Sequence, residues 1–188
     1  MGEKVQSVNQ LQSDLSYLKN VVRRKEGQTS HSISIPLLWA AINLVGWSLY
    51  DFSITGANRF WMVAVPIGML LSFALGYRHS RTHGELDPQL GKLNLWHWMT
   101  IPVAATALGF VLGPLNLPHP ALLQCLLLVI GLVYLLGGVH LDRTFLPGGI
   151  VLIGCVFLVG LVPYTVVGLL ISFGLAAGVI DAVRRGRQ

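Results

Sequence analysis

Beyond residue 34 the chain alternates between long apolar runs and short polar breaks. The runs are Ile35–Tyr50, Phe60–Tyr77, Leu95–Leu112, Ala121–His140, Phe145–Val162 and Tyr164–Ile180. Each holds about 16–20 residues, close to the roughly 20 that carry an α-helix across a hydrocarbon core at 1.5 Å per residue. The shorter runs suit an added turn or a locally thinner bilayer. Pro36, Pro114, Pro118, Pro120, Pro147 and Pro163 mark segment ends, while Pro66 and Pro102 lie inside theirs, where kinks are expected. The pattern predicts an all-α, polytopic six-helix transmembrane bundle over 35–180.

A different period occupies the start. Val8, Leu11, Leu15, Leu18 and Val22 recur at alternating spacings of three and four, the apolar seam of a heptad, with polar residues between them. An amphipathic helix over 1–27 follows, stopping near Arg23, Arg24, Lys25 and Gly27, with 28–34 as linker. So short a seam does not make a stable coiled coil alone. It either lies on the membrane or bundle surface, or docks a partner or further copies of the chain.

Composition agrees with lipid as the main solvent. The 188 residues are 53% hydrophobic and only 11% charged, less than half the share a water-exposed surface normally carries. The net charge of +5 invites a nucleic-acid reading, but the basic residues flank apolar runs and form no single patch, so no nucleic-acid partner is expected. No cleavable signal peptide is expected, because the first thirty residues are polar. The start also misses the myristoylation pattern, with Gln6 where Ser or Thr is required. Cys125 and Cys155 fall inside apolar runs and read as small packing residues.

The breaks carry an orientation signal. Twelve of the thirteen Lys and Arg lie in the N-terminal tail, the 78–94 loop, the 141–144 loop and the C-terminal tail 181–188, against Arg59 alone on the other side. The positive-inside rule then places both termini in the cytoplasm, as six crossings allow, in a bacterial-type inner (plasma) membrane.

The even-numbered segments end alike, at Gly76-Tyr-Arg-His79, Gly137-Gly-Val-His140 and Gly178-Val-Ile-Asp181, and Leu71-Ser-Phe73 echoes Ile171-Ser-Phe173. Three tandem helical hairpins would produce this. A plain need for basic residues at cytoplasmic helix ends would produce the arginine part of it. The stretch from Pro147-Gly-Gly-Ile-Val-Leu-Ile-Gly154 through Pro163 to Gly178-Val-Ile-Asp181, about a fifth of the chain, resembles the HdeD-like family of small six-helix bacterial membrane proteins. That resemblance implies a six-helix membrane fold. The N-terminal heptad helix and the charged 78–94 loop depart from the family's pattern.

Chemistry is sparse. No Asp, Glu, Lys or Arg falls in the middle third of any apolar run, which disfavours proton-coupled transport. The deep polar residues Asn43, Thr106, Gln124, Tyr134 and Ser172 read as interhelical hydrogen-bonding groups. Gly109 and Gly113, and likewise Gly174 and Gly178, are small pairs four apart that favour close helix packing, within the chain or between copies. His79, His83, His97 and His140 gather at the cytoplasmic ends of segments and His31 precedes the first. They lack flanking Cys or carboxylates at ligand spacing, and Trp96-His97-Trp98 reads as an interfacial anchor, so no metal and no cofactor are expected. The nucleophile-elbow, nucleotide-loop and His-Glu-x-x-His motifs are missing, so no enzymatic activity is expected.

The expected function is therefore that of a non-enzymatic integral membrane protein, an accessory, scaffold or sensory subunit working through helix-mediated contacts. Its partners are the lipid bilayer and a membrane-complex component or further copies reached by the N-terminal helix. A small-molecule transporter or channel is the first alternative, favoured if Asn43, Gln124 and Tyr134 face one cavity; a cofactor-binding subunit of a redox complex is the second. The orientation is checked by labelling intact cells with an impermeant thiol reagent: Asn58→Cys should react and Gln89→Cys should not, and the reverse pattern overturns it.

Overall fold

The computed structural model of the chain describes residues 15–17, 33–83 and 88–185. The chain divides into two compact units, Met1–His31 and Ser32–Gln188. In the first, residues 15–17 are helical and Leu15 is exposed; Val8, Leu11, Leu18 and Val22 lie outside the described residues, as does His31.

The second unit is helical throughout its regular structure among the described residues. Its helices are α1 (Ser34–Tyr50), α2 (Ile54–His83), α3 (Pro88–Leu112), α4 (His119–His140), α5 (Leu146–Val156) and α6 (Tyr164–Arg185), with short 3-10 turns at Gly113–Leu115 and Arg143–Phe145. Proline sits where a helix tolerates it. Pro36, Pro120 and Pro147 fall in first turns, where an N–H has no partner to lose, and Pro163 immediately precedes α6. Only α2 and α3 carry proline in their interiors, at Pro66 and Pro102. The turn from α3 to α4 passes through Asn116 at φ 49°, a left-handed conformation that asparagine adopts more readily than most residues.

Four helices are long and apolar enough to cross a membrane: Ile54–His79, Gly91–Leu115, His119–His140 and Tyr164–Arg184; α1 and the stretch Arg143–Val156 are shorter apolar helices. Six helices thus occupy the six apolar runs, with three differences. The expected 78–94 loop is mostly helix, since α2 continues to His83 and α3 begins at Pro88. The basic tail is helical as far as Arg185. The fifth run, expected to reach Val162, leaves the helix at Val156. Gly160 stands at φ 85° there, and Pro163 has no N–H to continue a ladder.

Each helix packs against its neighbours in sequence and α6 closes back on α1; among the described residues the one interruption falls between α2 and α3. The core joins Ala40, Trp47 and Tyr50 of α1, Ala57 of α2, Leu123 and Leu127 of α4, Leu152 and Cys155 of α5, Val159, and Val167, Ile171 and Leu175 of α6. Among the described residues none of α3 enters it. In the most apolar 18-residue stretch of each helix, 33% of α4 and 39% of α6 are buried, against 6% of α2 and none of α3. Hydrophobicity therefore has two destinations here, a protein core and an exposed apolar surface.

Glycines let α4, α5 and α6 approach. A Cβ on Gly149 would lie 2.8 Å from the backbone nitrogen of Leu135, and one on Gly138 2.9 Å from that of Leu146. At Gly178 it would collide with the Thr144 carbonyl oxygen, and at Gly174 it would sit 2.8 Å from Val151 Cβ. Gly109 and Gly113, the other expected packing pair, have nothing within 4 Å in this chain. Gly149→Ala and Gly178→Ala should each cost about 1–3 kcal/mol by overpacking. Gly109→Ala should be neutral or stabilising by up to ~1 kcal/mol, since alanine is the better helix former. Thermal unfolding in detergent distinguishes them, and an equal loss at all three positions would contradict this packing.

Candidate functional site

One end of the bundle is formed where the C-terminus of α1 meets the N-termini of α4 and α6. Asp51, the residue after α1, reaches the start of α6 across more than a hundred residues of sequence. Its carboxylate accepts hydrogen bonds from the Tyr164 N–H at 2.8 Å, the Thr165 N–H at 2.7 Å and the Thr165 hydroxyl at 2.7 Å. The first N–H groups of a helix lack intrahelical partners and carry the positive end of its dipole, so a carboxylate there satisfies both. Desolvation acts to raise the Asp51 pKa, but the bonds from the Thr165 side chain, the Thr165 N–H and the Tyr164 N–H together hold it below the ordinary 3.8.

Beside this clamp lies an aromatic group. Trp47, Tyr50 and Tyr164 are mutually in contact, with ring centroids 5.5–6.2 Å apart, and His119 of α4 stands 5.0 Å from Tyr50. The Tyr50 hydroxyl donates to Asn58 Oδ1 at 3.1 Å, tying α1 to α2. The rings pack against one another, and Trp47 and Tyr50 are buried. Nearby, Gln124 Nε2 of α4 donates to the Val159 carbonyl at 3.3 Å, inside the irregular stretch that follows α5.

The opposite end holds a second cluster. Trp98 of α3 packs edge-on against Tyr134 of α4 and Phe145, with centroids 5.1 and 4.8 Å away, and its Nε1 donates to Asn94 Oδ1 at 2.8 Å. His97 Nε2 lies 3.0 Å from the Val133 carbonyl oxygen, the separation of a hydrogen bond donated by the ring. Glycine at 137 makes room for it, because a Cβ there would come within 2.8 Å of the same nitrogen. Asp142, buried, accepts from the Thr144 N–H at 2.9 Å and from its hydroxyl at 2.8 Å, opening the 3-10 turn before α5.

Known families, curated proteins and solved structures offer no match to this chain.

The expected deep polar groups divide by what they bond. Ser172 Oγ donates to the Ala40 carbonyl at 2.7 Å, joining α6 to α1, and Gln124 joins α4 to the 157–163 stretch. Asn43 and Thr106 instead fold back on their own helices, Asn43 Nδ2 to Trp39 O and Thr106 Oγ1 to Pro102 O, both at 2.8 Å. Tyr134 packs among aromatic rings. Asn43, Gln124 and Tyr134 thus share no partner. Among the described residues no group of three or more His, Cys, Asp or Glu is placed to hold a metal. His79 is on α2 and His83 is its last residue, not part of a loop, and His140 is exposed as the last residue of α4. Cys125 and Cys155 are free thiols.

Two contributors were not anticipated. Ser72 accepts from Trp39 Nε1 at 3.1 Å, holding α2 to α1; its signal was the echo between Leu71-Ser-Phe73 and Ile171-Ser-Phe173, whose serines bond adjacent residues of α1. Asp51 has no local signal for its role, since its partners lie 113 and 114 positions away. Because its pKa is lower folded than unfolded, its stabilisation is complete above the unfolded value of 3.8 and is lost as pH falls through the lower folded one. Asp51→Ala should lower stability by about 1 kcal/mol near neutral pH, the usual worth of a helix N-cap. The gap from wild type should close as the pH is taken well below 3.8, measured by unfolding midpoints across that range.

Proposed function

We propose that this chain is a multi-pass inner-membrane protein with six crossings and both termini in the cytoplasm. It works without enzymatic chemistry, as an accessory, scaffold or sensory subunit acting through helix contacts. The observation that carries this reading is where the polar groups go. Trp39, Ser72, Gln124, His97 and Ser172 are engaged in holding helices together, so the surface left for other molecules is apolar helix. The peripheral helices α2 and α3 present most of it.

The charge asymmetry supports the orientation, with Arg59 alone at the Asp51 end. Three tandem hairpins, α1–α2, α3–α4 and α5–α6, are consistent with helices that pack in sequence order around the bundle. The paired serines of α2 and α6, bonding Trp39 and Ala40 from two sides of α1, support the same repeat. Partner contact is assigned to the seam of Val8, Leu11, Leu15, Leu18 and Val22. Replacing Leu11, Leu15 and Leu18 by Asp removes that seam and leaves the membrane segments intact. The variant should insert normally yet lose oligomer size or co-purifying proteins in mild detergent; an unchanged oligomer with an unchanged set of companions sinks the contact reading.

A further inference from the structure

A short apolar run is accommodated either by an added helical turn or by a thinner bilayer. Neither short helix takes the added turn: α1 spans 17 residues, Ser34–Tyr50, and α5 only 11, Leu146–Val156. At 1.5 Å per residue they are about 25 and about 16 Å long, against the ~30 Å of an ordinary hydrocarbon core.

The longer core helices agree once their ends are located by what they touch. Asp51 fixes one level on α6. Its carboxylate is exposed, its side chain is short, and its bonds to Tyr164 and Thr165 hold it in place, so the charge cannot reach further for water. At the other end Gly178 abuts the Thr144 carbonyl, next to the exposed Arg143. Gly178 lies 14 positions after Tyr164 on α6, a rise of about 21 Å. On α4, His119 meets Tyr50 and Tyr164 at the Asp51 end, while Tyr134 meets Trp98 and Phe145 at the other. The 15 positions from His119 to Tyr134 rise about 22 Å. Trp and Tyr concentrate at the two membrane–water boundaries, and here the two groups stand that far apart. The chain after α5 sets the same limit. Phe157 and Leu161 are 73% and 80% exposed on backbone that has left the helix. Irregular backbone facing lipid does not occur within the hydrocarbon region, so that region ends by Val156 on this side. Peripheral α2 carries 18 residues between Arg59 and Arg78, about 27 Å, a length that tilt brings into the same span.

We propose that the apolar belt of this bundle is about 22 Å tall, so that the protein thins the bilayer around it and takes short-chain phospholipids as its neighbours. The inference rests on the membrane reading above and goes beyond it by naming the lipid. The thickness is set by contacts and not by hydropathy: the Asp51 clamp holds one boundary, and the turn at Arg143 and Thr144, closed against Gly178, holds the other. A bilayer thicker than this belt must compress beside the protein or cover the Asp51 carboxylate with hydrocarbon, and covering a charge is the costlier course. The protein therefore favours regions where the bilayer is already thin.

The test reconstitutes the full-length protein in dimyristoleoyl, dioleoyl or dierucoyl phosphatidylcholine, fluid lipids that share a headgroup and differ in chain length. Thermal unfolding should have its highest midpoint in the dimyristoleoyl bilayer, fall by on the order of 2–4 °C in dioleoyl, and fall again in dierucoyl. Depth is read separately from nitroxides at Leu161→Cys and at Arg143→Cys, each with Cys125→Ala and with the buried Cys155 left in place. Both labels should lie at headgroup level in dioleoyl bilayers, reached by a water-soluble nickel chelate. A midpoint highest in dioleoyl or dierucoyl, or a Leu161 label shielded within the hydrocarbon, overturns the thin belt while leaving the membrane reading in place. A protein that enters none of these bilayers removes both.

Discussion

Short and rich in glycine, α5 is closely approached on both sides, by backbone towards α4 and at the Val151 side chain towards α6. Towards α4 the approach is made at Gly138 and Gly149, and towards α6 at Gly174 and, against the preceding turn, Gly178. Between membrane helices the hydrophobic effect supplies little drive, since a lipid tail is as apolar as a leucine; dispersion at short range and interhelical hydrogen bonds must supply it. Removing the Cβ is what brings enough atoms into range. Once α4, α5 and α6 are set at this distance, Leu152, Cys155 and Ile171 close the centre, and α1 can lay Trp47 against Gly168. The packing of α4, α5 and α6 thus follows from a few glycines; α1 completes the core with Ala57 of α2, and α3 stays outside it among the described residues.

That division explains how much of the fold was legible in the sequence. Apolar runs report that a helix avoids water, and all six helices could be placed from them. They do not report whether the helix meets protein or lipid, because both environments select the same side chains. Met62, Leu70 and Phe110 are apolar and exposed, while Gly149 and the expected packing residue Gly178 lie at the tightest approaches. The small pair Gly109 and Gly113 looked the same in sequence as Gly174 and Gly178. Only the second pair has a neighbour in this chain, since α3 turns the first away from α4.

Polar residues were legible as bonding groups and not as to their partners. Asn43 and Thr106 bond their own helices because a short side chain four residues from a carbonyl finds it without any partner helix. For Thr106 the target is the carbonyl of Pro102, in the same stretch where proline removes an N–H from the ladder. Ser172 reaches across to the Ala40 carbonyl, while Ser72 donates to the Gly68 carbonyl of its own helix and accepts from Trp39 of α1, where Gly68 leaves room for Trp39 and Ile42. The candidate site was legible only at its margins: Trp96-His97-Trp98 read as an interfacial anchor, and Trp96 is exposed while His97 and Trp98 turn onto α4. The role of Asp51 was not legible, because its partners lie 113 and 114 positions away.

The irregular stretch from Phe157 to Pro163 ties the remaining polar chemistry together. Backbone outside a helix is tolerated in an apolar surround only when its N–H and C=O groups are met by protein. Turn bonds from Phe157, Leu158, Val159, Leu161 and Val162 to carbonyls three or four residues back meet part of that demand. Gln124 takes the Val159 carbonyl, Pro120 covers Gly160 at the turn, and Asp51 takes the N–H groups of Tyr164 and Thr165 as α6 begins. Asp51 and Gln124, which a search for catalytic or transport residues would select first, are therefore occupied in satisfying one short segment. A carboxylate holding three donors with its pKa depressed is a poor proton acceptor near neutral pH, and Gln124 commits one amide hydrogen to the Val159 carbonyl. The irregular stretch after α5 thus accounts for the Gln124 contact, and the unpaired N–H groups at the start of α6 for that of Asp51.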